Sequence, residues 1–222
     1  MTAITMRTPH RDRGIEGNAA KWYAKSTGEM MHEFEELAER IAGELPPGSD
    51  VLEIAPGPGY FCIALARRGV YNITGVDISS AMVKIASLKS QEAGVKARFV
   101  ESSASNLPFP KDSFDFLLCR AAFKNFAQPV AALQEMGRVL KPGGRAKIID
   151  LKRNASPRDA DRYVDGMGLS LVNRIMIKLV FRTMLIRSAY TRAEFEQMLA
   201  QAGFSKTEIL EAELGFEITM TK

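Results

Sequence analysis

Two glycines and two carboxylates carry the first chemistry to be read from this chain. In VLEIAPGPGYFCIALARRG, Val51 to Gly69, Gly57 and Gly59 lie in a loop between an apolar run and a helical pattern. Without a Cβ each lets the backbone approach a ligand, and the amides opening the next helix can donate to it. Asp77 stands twenty residues beyond Gly57, at the end of the next apolar run, where a carboxylate can accept both hydroxyls of a ribose. These features suit any adenosine-bearing cofactor, and two details discriminate. A G-x-G-x-x-G dinucleotide fingerprint requires a third glycine at position 62, where Cys62 stands. Glu53, just before the turn, would repel a pyrophosphate and attract the ammonium of an amino-acid moiety. The loop therefore reads as built for a cationic, phosphate-free nucleoside.

A second set follows in CRAAFKNFAQP, where Arg120, Phe123, Lys124, Asn125 and Phe126 end an apolar run. Two cations and two aromatics there would bind an anionic, planar acceptor, with Lys124 stabilising a phenolate or carboxylate. The plainer alternative packs Phe123 and Phe126 under the next helix and leaves Lys124 solvated. AKWYAKSTGEM contributes Trp22 and Tyr23 as amphipathic covers for a site, unless the lone Trp is a core anchor. The two histidines, His10 and His32, are both amino-terminal, and His32 reads as a polar-face helix residue. Lys124 and Tyr23 are thus the candidate catalytic groups, with no general base assigned. Cys62 and Cys119 match no zinc spacing and no carboxylate cluster suits magnesium, so no metal is expected.

The elements that must position these residues alternate. Strands are predicted at Asp50–Ile54, Asn72–Val76, Ala97–Val100, Phe114–Cys119 and Ala146–Asp150, and helices at Tyr60–Arg68, Ser79–Glu92 and Pro129–Leu140. Ser79 is a candidate N-cap, and Lys141-Pro-Gly-Gly144 a helix stop. Strict alternation implies right-handed crossovers and a parallel sheet covered on both faces. After Asp150 the rhythm breaks. A helical stretch gives way to a capped helix, Thr191–Ala202, and two final strands ending in GFEITMTK, which predict an antiparallel hairpin at the sheet edge. The expected architecture is a single α/β domain, a doubly wound and mostly parallel sheet. Residues 1–45 form an arm and cover helix, 46–150 the cofactor-binding core, 151–190 a helical roof and 191–222 the terminal helix and hairpin.

With these motifs in order, the chain resembles the class I S-adenosylmethionine-dependent methyltransferases, a Rossmann-like family. The likeness is greatest to the small-molecule branch that includes the ubiquinone and menaquinone biosynthesis enzymes. It rests on LEIAPGPG, on Val76-Asp77-Ile-Ser, on SASNLPFPKDSFDFLLC and on LQEMGRVLKPGGRAKIID. The resemblance implies S-adenosylmethionine as cofactor, with Glu53, Ala55, Gly57 and Gly59 lining its methionine half and Asp77 holding the ribose. Ile78 and Met82 would pack on adenine, Ser103 and Ala104 would border its exocyclic amine, and Arg120 would offer its main chain near the methionine end. Ala55 replaces the family's first glycine, tolerable if its φ is negative, and Ser103 replaces a frequent aspartate. The Asn/Asp-Pro-Pro-aromatic signature of relatives that methylate the amino group of a nucleobase or glutamine is absent. The expected reaction is in-line methyl transfer to a small, apolar or aromatic acceptor. Relatives that keep the cofactor for decarboxylation or cyclisation, and a non-catalytic scaffold, are the rival readings.

From Leu169 to Ile186 the insertion is mostly apolar, with Arg174, Lys178 and Arg182 four apart as one basic stripe. Such a helix would roof an acceptor pocket, with Met176 a candidate contact, bury a homodimer interface, or lie on a membrane surface. The roof is the favoured reading, with Pro157, Gly166 and Gly168 as hinges. The net charge of +4 on 222 residues is spread along the chain and predicts no nucleic-acid partner. Two cysteines and an amino terminus without an apolar h-region point to a cytoplasmic protein.

Overall fold

The computed structural model describes residues 14–167 and 171–222; His10, and Gly168 and Leu169 of the insertion, lie outside them. The predicted strands form as β1 (Asp50–Ile54), β2 (Asn72–Asp77), β3 (Arg98–Glu101), β4 (Phe114–Arg120) and β5 (Leu140–Leu151). With β6 (Lys206–Glu211) and β7 (Gly215–Thr221) they make one seven-stranded sheet in the order β3-β2-β1-β4-β5-β7-β6. All pairings are parallel except those of β7 with β5 and β6. The strand order reverses between β1 and β4, so the crevice for a ligand opens beyond their carboxyl ends.

Burial on both faces explains why the inner strands are almost wholly apolar. In β4, Phe116 and Leu118 face one cluster with Phe34 and Ile41 of α2 (Met31–Ala42) and Phe61 of α3 (Tyr60–Ala66). Leu117 and Cys119 face the other, with Leu133 of α5 (Pro129–Val139) and Phe195 of α9 (Arg192–Ala200). α5 stops at Val139 as the proline and glycines demand, yet Lys141–Gly144 belong to β5, which begins four residues before the turn is over. β5 absorbs the irregularity: Phe114 pairs with Leu140 and Phe116 with Arg145, so the extra residues bulge from β5. Two caps read from the sequence hold. Ser79 Oγ accepts from Met82 N at 3.0 Å to start α4 (Ser80–Glu92), and Thr191 with Glu194 forms a capping box on α9.

Two predictions need correction. The segment before α2 is itself a helix, α1 (Gly17–Gly28), which packs along α4 and lies over the crevice. The insertion folds as α6 (Pro157–Gly166), α7 (Leu171–Val180), a π-helical turn (Phe181–Leu185) and α8 (Ile186–Ser188) around a small core of its own, including Val164, Phe181 and Ile186. Its basic stripe is paired within the insertion. Arg174 and Lys178 reach Asp165 at 3.5 and 2.7 Å and Arg182 pairs with Asp161, so the cations lie against the acidic side of α6. Leu171, Ile175 and Leu179 are left more than 60% exposed.

Candidate cofactor and acceptor site

Asp77 organises the crevice. Its Oδ2 accepts from Gly57 N at 3.0 Å and its Oδ1 from Ser79 N at 2.9 Å, tying the glycine loop to the end of β2. Burial pushes its carboxyl above the usual range, opposed by those two amides. Each oxygen retains a lone pair for a further donor, as a ribose diol requires. Gly57 has φ +53, and its missing Cβ would come within 3.6 Å of the Tyr23 ring, so Tyr23 of α1 closes over the loop. Gly59 has a different task. A Cβ there would meet Phe99 at 2.9 Å and Ala86 at 3.0 Å, so this glycine lets α3 pack on β3 and α4.

Ala55 overturns the condition set on it, because its φ is +55. Its amide donates to Val76 O at 2.7 Å, which holds the turn closed against a left-handed cost of about 1–2 kcal/mol for a residue with a Cβ. Ala121, at the end of β4, repeats the device with φ +57 and a 2.7 Å bond to Ile149 O. The chain thus leaves both strands flanking the crevice through a left-handed residue.

Ala55, Ile78, Ser103 and Ala104 line a narrow cleft of about 30 Å³ together with Ile54, Val76, Ser102 and Phe126. A cavity of about 240 Å³ lies between α9 and β6, at the far sheet edge and away from these groups. Met82 is 2% exposed and belongs to the buried core.

Glu53 is 3% exposed, and its Oε2 accepts from the Cys62 thiol at 3.0 Å. Burial raises its pKa to about 7, against the lowering effects of the Cys62 side chain, Arg120 and the Cys62 amide. A carboxylate so buried, with a weak thiol donor and no lysine or arginine paired to it among the described residues, suits an ammonium or sulfonium ligand and opposes a diphosphate. The residues present fit S-adenosylmethionine.

The acceptor end differs from its prediction. Lys124 is not solvated: its Nζ meets Asp150 Oδ1 at 2.9 Å and also donates to Ala121 O, while its backbone N donates to Asp150 Oδ2 at 2.9 Å. Both side chains are at most 3% exposed, so this cation is held by the fold and has no free face for an anionic acceptor. Phe123 is fully buried, stacked on Phe195 at 5.4 Å, and it too is core. Trp22 is 55% exposed and Met176 43% exposed, both outside the buried clusters. Burial pushes the Tyr23 phenol upward, with Arg120 opposing and Asp77 adding to the rise, so it is protonated at neutral pH and can donate but not act as a base.

The Arg120 side chain is engaged within the fold. Its guanidinium pairs with Glu33 Oε2 at 2.5 Å and lies 4.5 Å from the Phe34 ring centroid, and Tyr163 donates to Glu33 at 3.2–3.3 Å. The knot joins α2, β4 and α6, and Tyr163 is driven to about 12 by burial and then by Glu33. Glu33 and Tyr163 had no sequence signal, since Arg120 lies 87 and Tyr163 130 residues beyond Glu33. Asp150 had one: an acid closing the predicted strand Ala146–Asp150. His32 is 82% exposed against Glu36, on the polar side of α2 as expected.

Residues 52–148 match the family described as a methyltransferase domain. The chain is 42% identical over 121 residues to an uncharacterized methyltransferase, YcgJ, of Bacillus subtilis, spanning 53% of this chain and 46% of that protein. It is 31% identical over 168 residues to a demethylmenaquinone methyltransferase of Clavibacter sepedonicus, spanning 72% of this chain and 67% of that protein. The alignments with the first relatives cover about half their length, 44–46%. A crystal structure of a putative S-adenosyl-L-methionine-dependent methyltransferase from Methanococcus maripaludis shares the fold, with a TM-score of 0.79 at 20% identity over 99% of this chain and 97% of that one. With the reversed strand order, the glycine turn and the carboxylates at the ends of β1 and β2, these likenesses place the chain in the class I S-adenosylmethionine-dependent methyltransferase family.

Proposed function

We propose that the protein transfers the methyl group of S-adenosylmethionine to a small, apolar or aromatic acceptor. The observation that carries this reading is Glu53, a buried carboxylate beside the glycine turn with a thiol for its hydrogen-bond donor. When bound, the cofactor supplies an electrophilic methyl on a cationic sulfur; the chain's own part is to bind, align and exclude water. Glu53 balances the ammonium of the methionine half. Asp77 accepts the ribose hydroxyls through its remaining lone pairs, and Ile78, Ser103 and Ala104 border the base. Tyr23 covers the loop from α1 and keeps water from the sulfur. The acceptor stands against Tyr23, Arg120, Glu33 and Tyr163, where a ring hydroxyl finds a carboxylate and a phenol; Lys124 and Phe123 are left out of these contacts.

A relative named as a demethylmenaquinone methyltransferase supports a quinol-like ring as the acceptor class. The test is methyl counting by mass spectrometry with S-adenosylmethionine and a 1,4-naphthalenediol. Equal formation of methylated ring and S-adenosylhomocysteine is expected. Ring consumption without S-adenosylhomocysteine would rule out methyl transfer. Asp77→Ala should abolish tight cofactor binding, and unchanged affinity would remove the ribose assignment.

A further inference from the structure

Cys62 occupies the place of the third glycine in a dinucleotide fingerprint, and it is not an inert filler. It is the third residue of α3, a helix whose N-cap, Gly59, has no side chain to satisfy the first amides. Its thiol lies 3.0 Å from Glu53 Oε2, and its amide also favours the ionised glutamate. Thiol and glutamate are both buried, and α3 fixes one against β1, which carries the other.

We propose that Cys62 is a positioning residue of the cofactor site, whose thiol holds the Glu53 carboxylate ionised and oriented while the other carboxylate oxygen remains for the ammonium of the methionine moiety. The proposal rests on the cofactor assignment made above and extends it to a residue that touches no ligand. The geometry explains why a residue with a donor, and not the glycine of a diphosphate-binding turn, is useful here. A glycine would leave a buried carboxylate against bare helix amides, whereas a thiol adds a donor small enough for the α3–β1 interface. Glu53 faces Cys62 on α3, Arg120 on β4 and Asp77 on β2; Arg120 opposes its protonation and Asp77 favours it.

The test is calorimetry of S-adenosylhomocysteine binding between pH 5.5 and 8.5 for the wild type, Cys62→Ala, Cys62→Ser and Glu53→Gln. Wild-type affinity should fall about tenfold per pH unit below an acid limb near 7, since the ligand's ammonium needs the carboxylate. Glu53→Gln should flatten that limb, which separates it from any contribution of Asp77. Cys62→Ala should move the limb upward by roughly half a unit, an affinity loss of about threefold at pH 6 with little change at pH 8, and Cys62→Ser should move it back or lower. A merely structural thiol would give a pH-independent loss or none, and either result overturns the proposal. If Cys62→Ala does not fold, Cys62→Val takes its place as the variant without a donor, and a Cys62→Val limb unmoved from wild type overturns the proposal. If the wild type binds no S-adenosylhomocysteine at any pH, the cofactor assignment falls first and the role of Cys62 with it.

Discussion

Two buried carboxylates close strands on either side of β4, and their surroundings are opposite. Asp150, near the end of β5, receives the Lys124 ammonium, the Lys124 amide at 2.9 Å and the Leu151 amide at 2.8 Å. Glu53, near the end of β1, receives a thiol. A carboxylate satisfied by its own chain is architecture, because little of its charge is left to offer. One desolvated without a cation is raised in energy until a ligand brings that cation, and this poises a site. The difference also explains why Lys124, which looked in the sequence like a free cation beside the acceptor, is held in a buried ion pair.

The comparison breaks most sharply at Asp150. Asp150→Ala should destabilise the protein by about 3–5 kcal/mol in urea unfolding, because it leaves the Lys124 ammonium buried and unpaired. Were Lys124 an acceptor contact instead, Lys124→Met would raise KM for the acceptor with stability unchanged.

Glu53 should show the reverse sign. Its folded pKa of about 7 exceeds the ordinary 4.5, so the folded state holds the proton more tightly. The stability this group contributes is full below about pH 4.5 and lost as pH rises to about 7, a fall of about 3 kcal/mol. Urea unfolding of the cofactor-free protein at pH 5 and pH 8 checks it, since Glu53→Gln should remove this part of the slope. A wild type with an identical slope to Glu53→Gln would show that the carboxylate is not held in a raised state.

Binding sharpens the contrast further. Glu53→Gln should weaken S-adenosylhomocysteine at pH 8 by about tenfold to a hundredfold, as expected for loss of one charge-assisted hydrogen bond, with no loss of stability at that pH. Calorimetry alongside thermal unfolding separates the two effects. The smallest expected change is at Ala55, where φ is +55. Ala55→Gly should raise stability by up to about 1 kcal/mol, read as a higher Tm, because glycine adopts the left-handed turn without the Cβ cost.

Much of the core was legible because short apolar runs ended by turn residues carry a local signal. The boundaries of β1 and β4, the Ser79 and Thr191 caps and the terminal hairpin all follow from neighbours within a few positions. The glycine loop and Asp77 were legible for the same reason, although nothing local showed that Gly59 also makes room for Phe99 and Ala86. The acceptor end was not legible. Lys124 reads as a surface cation until Asp150, twenty-six residues away, is brought under it, and the partners of the basic stripe are unknown until α6 presents Asp161 and Asp165.

By itself, the order of residues determined the alternation of strand and helix, the turn that needs Gly57, and a carboxylate at the end of each of the first two strands, because backbone conformation and hydrophobic periodicity are set within a few residues. Tertiary structure alone decided which charges were already neutralised. Whether a carboxylate or an ammonium is available for chemistry depends on partners far along the chain and on the water that packing removes. That is why Glu53 and Asp150, both carboxylates in apolar runs, became a poised binding group and a closed ion pair.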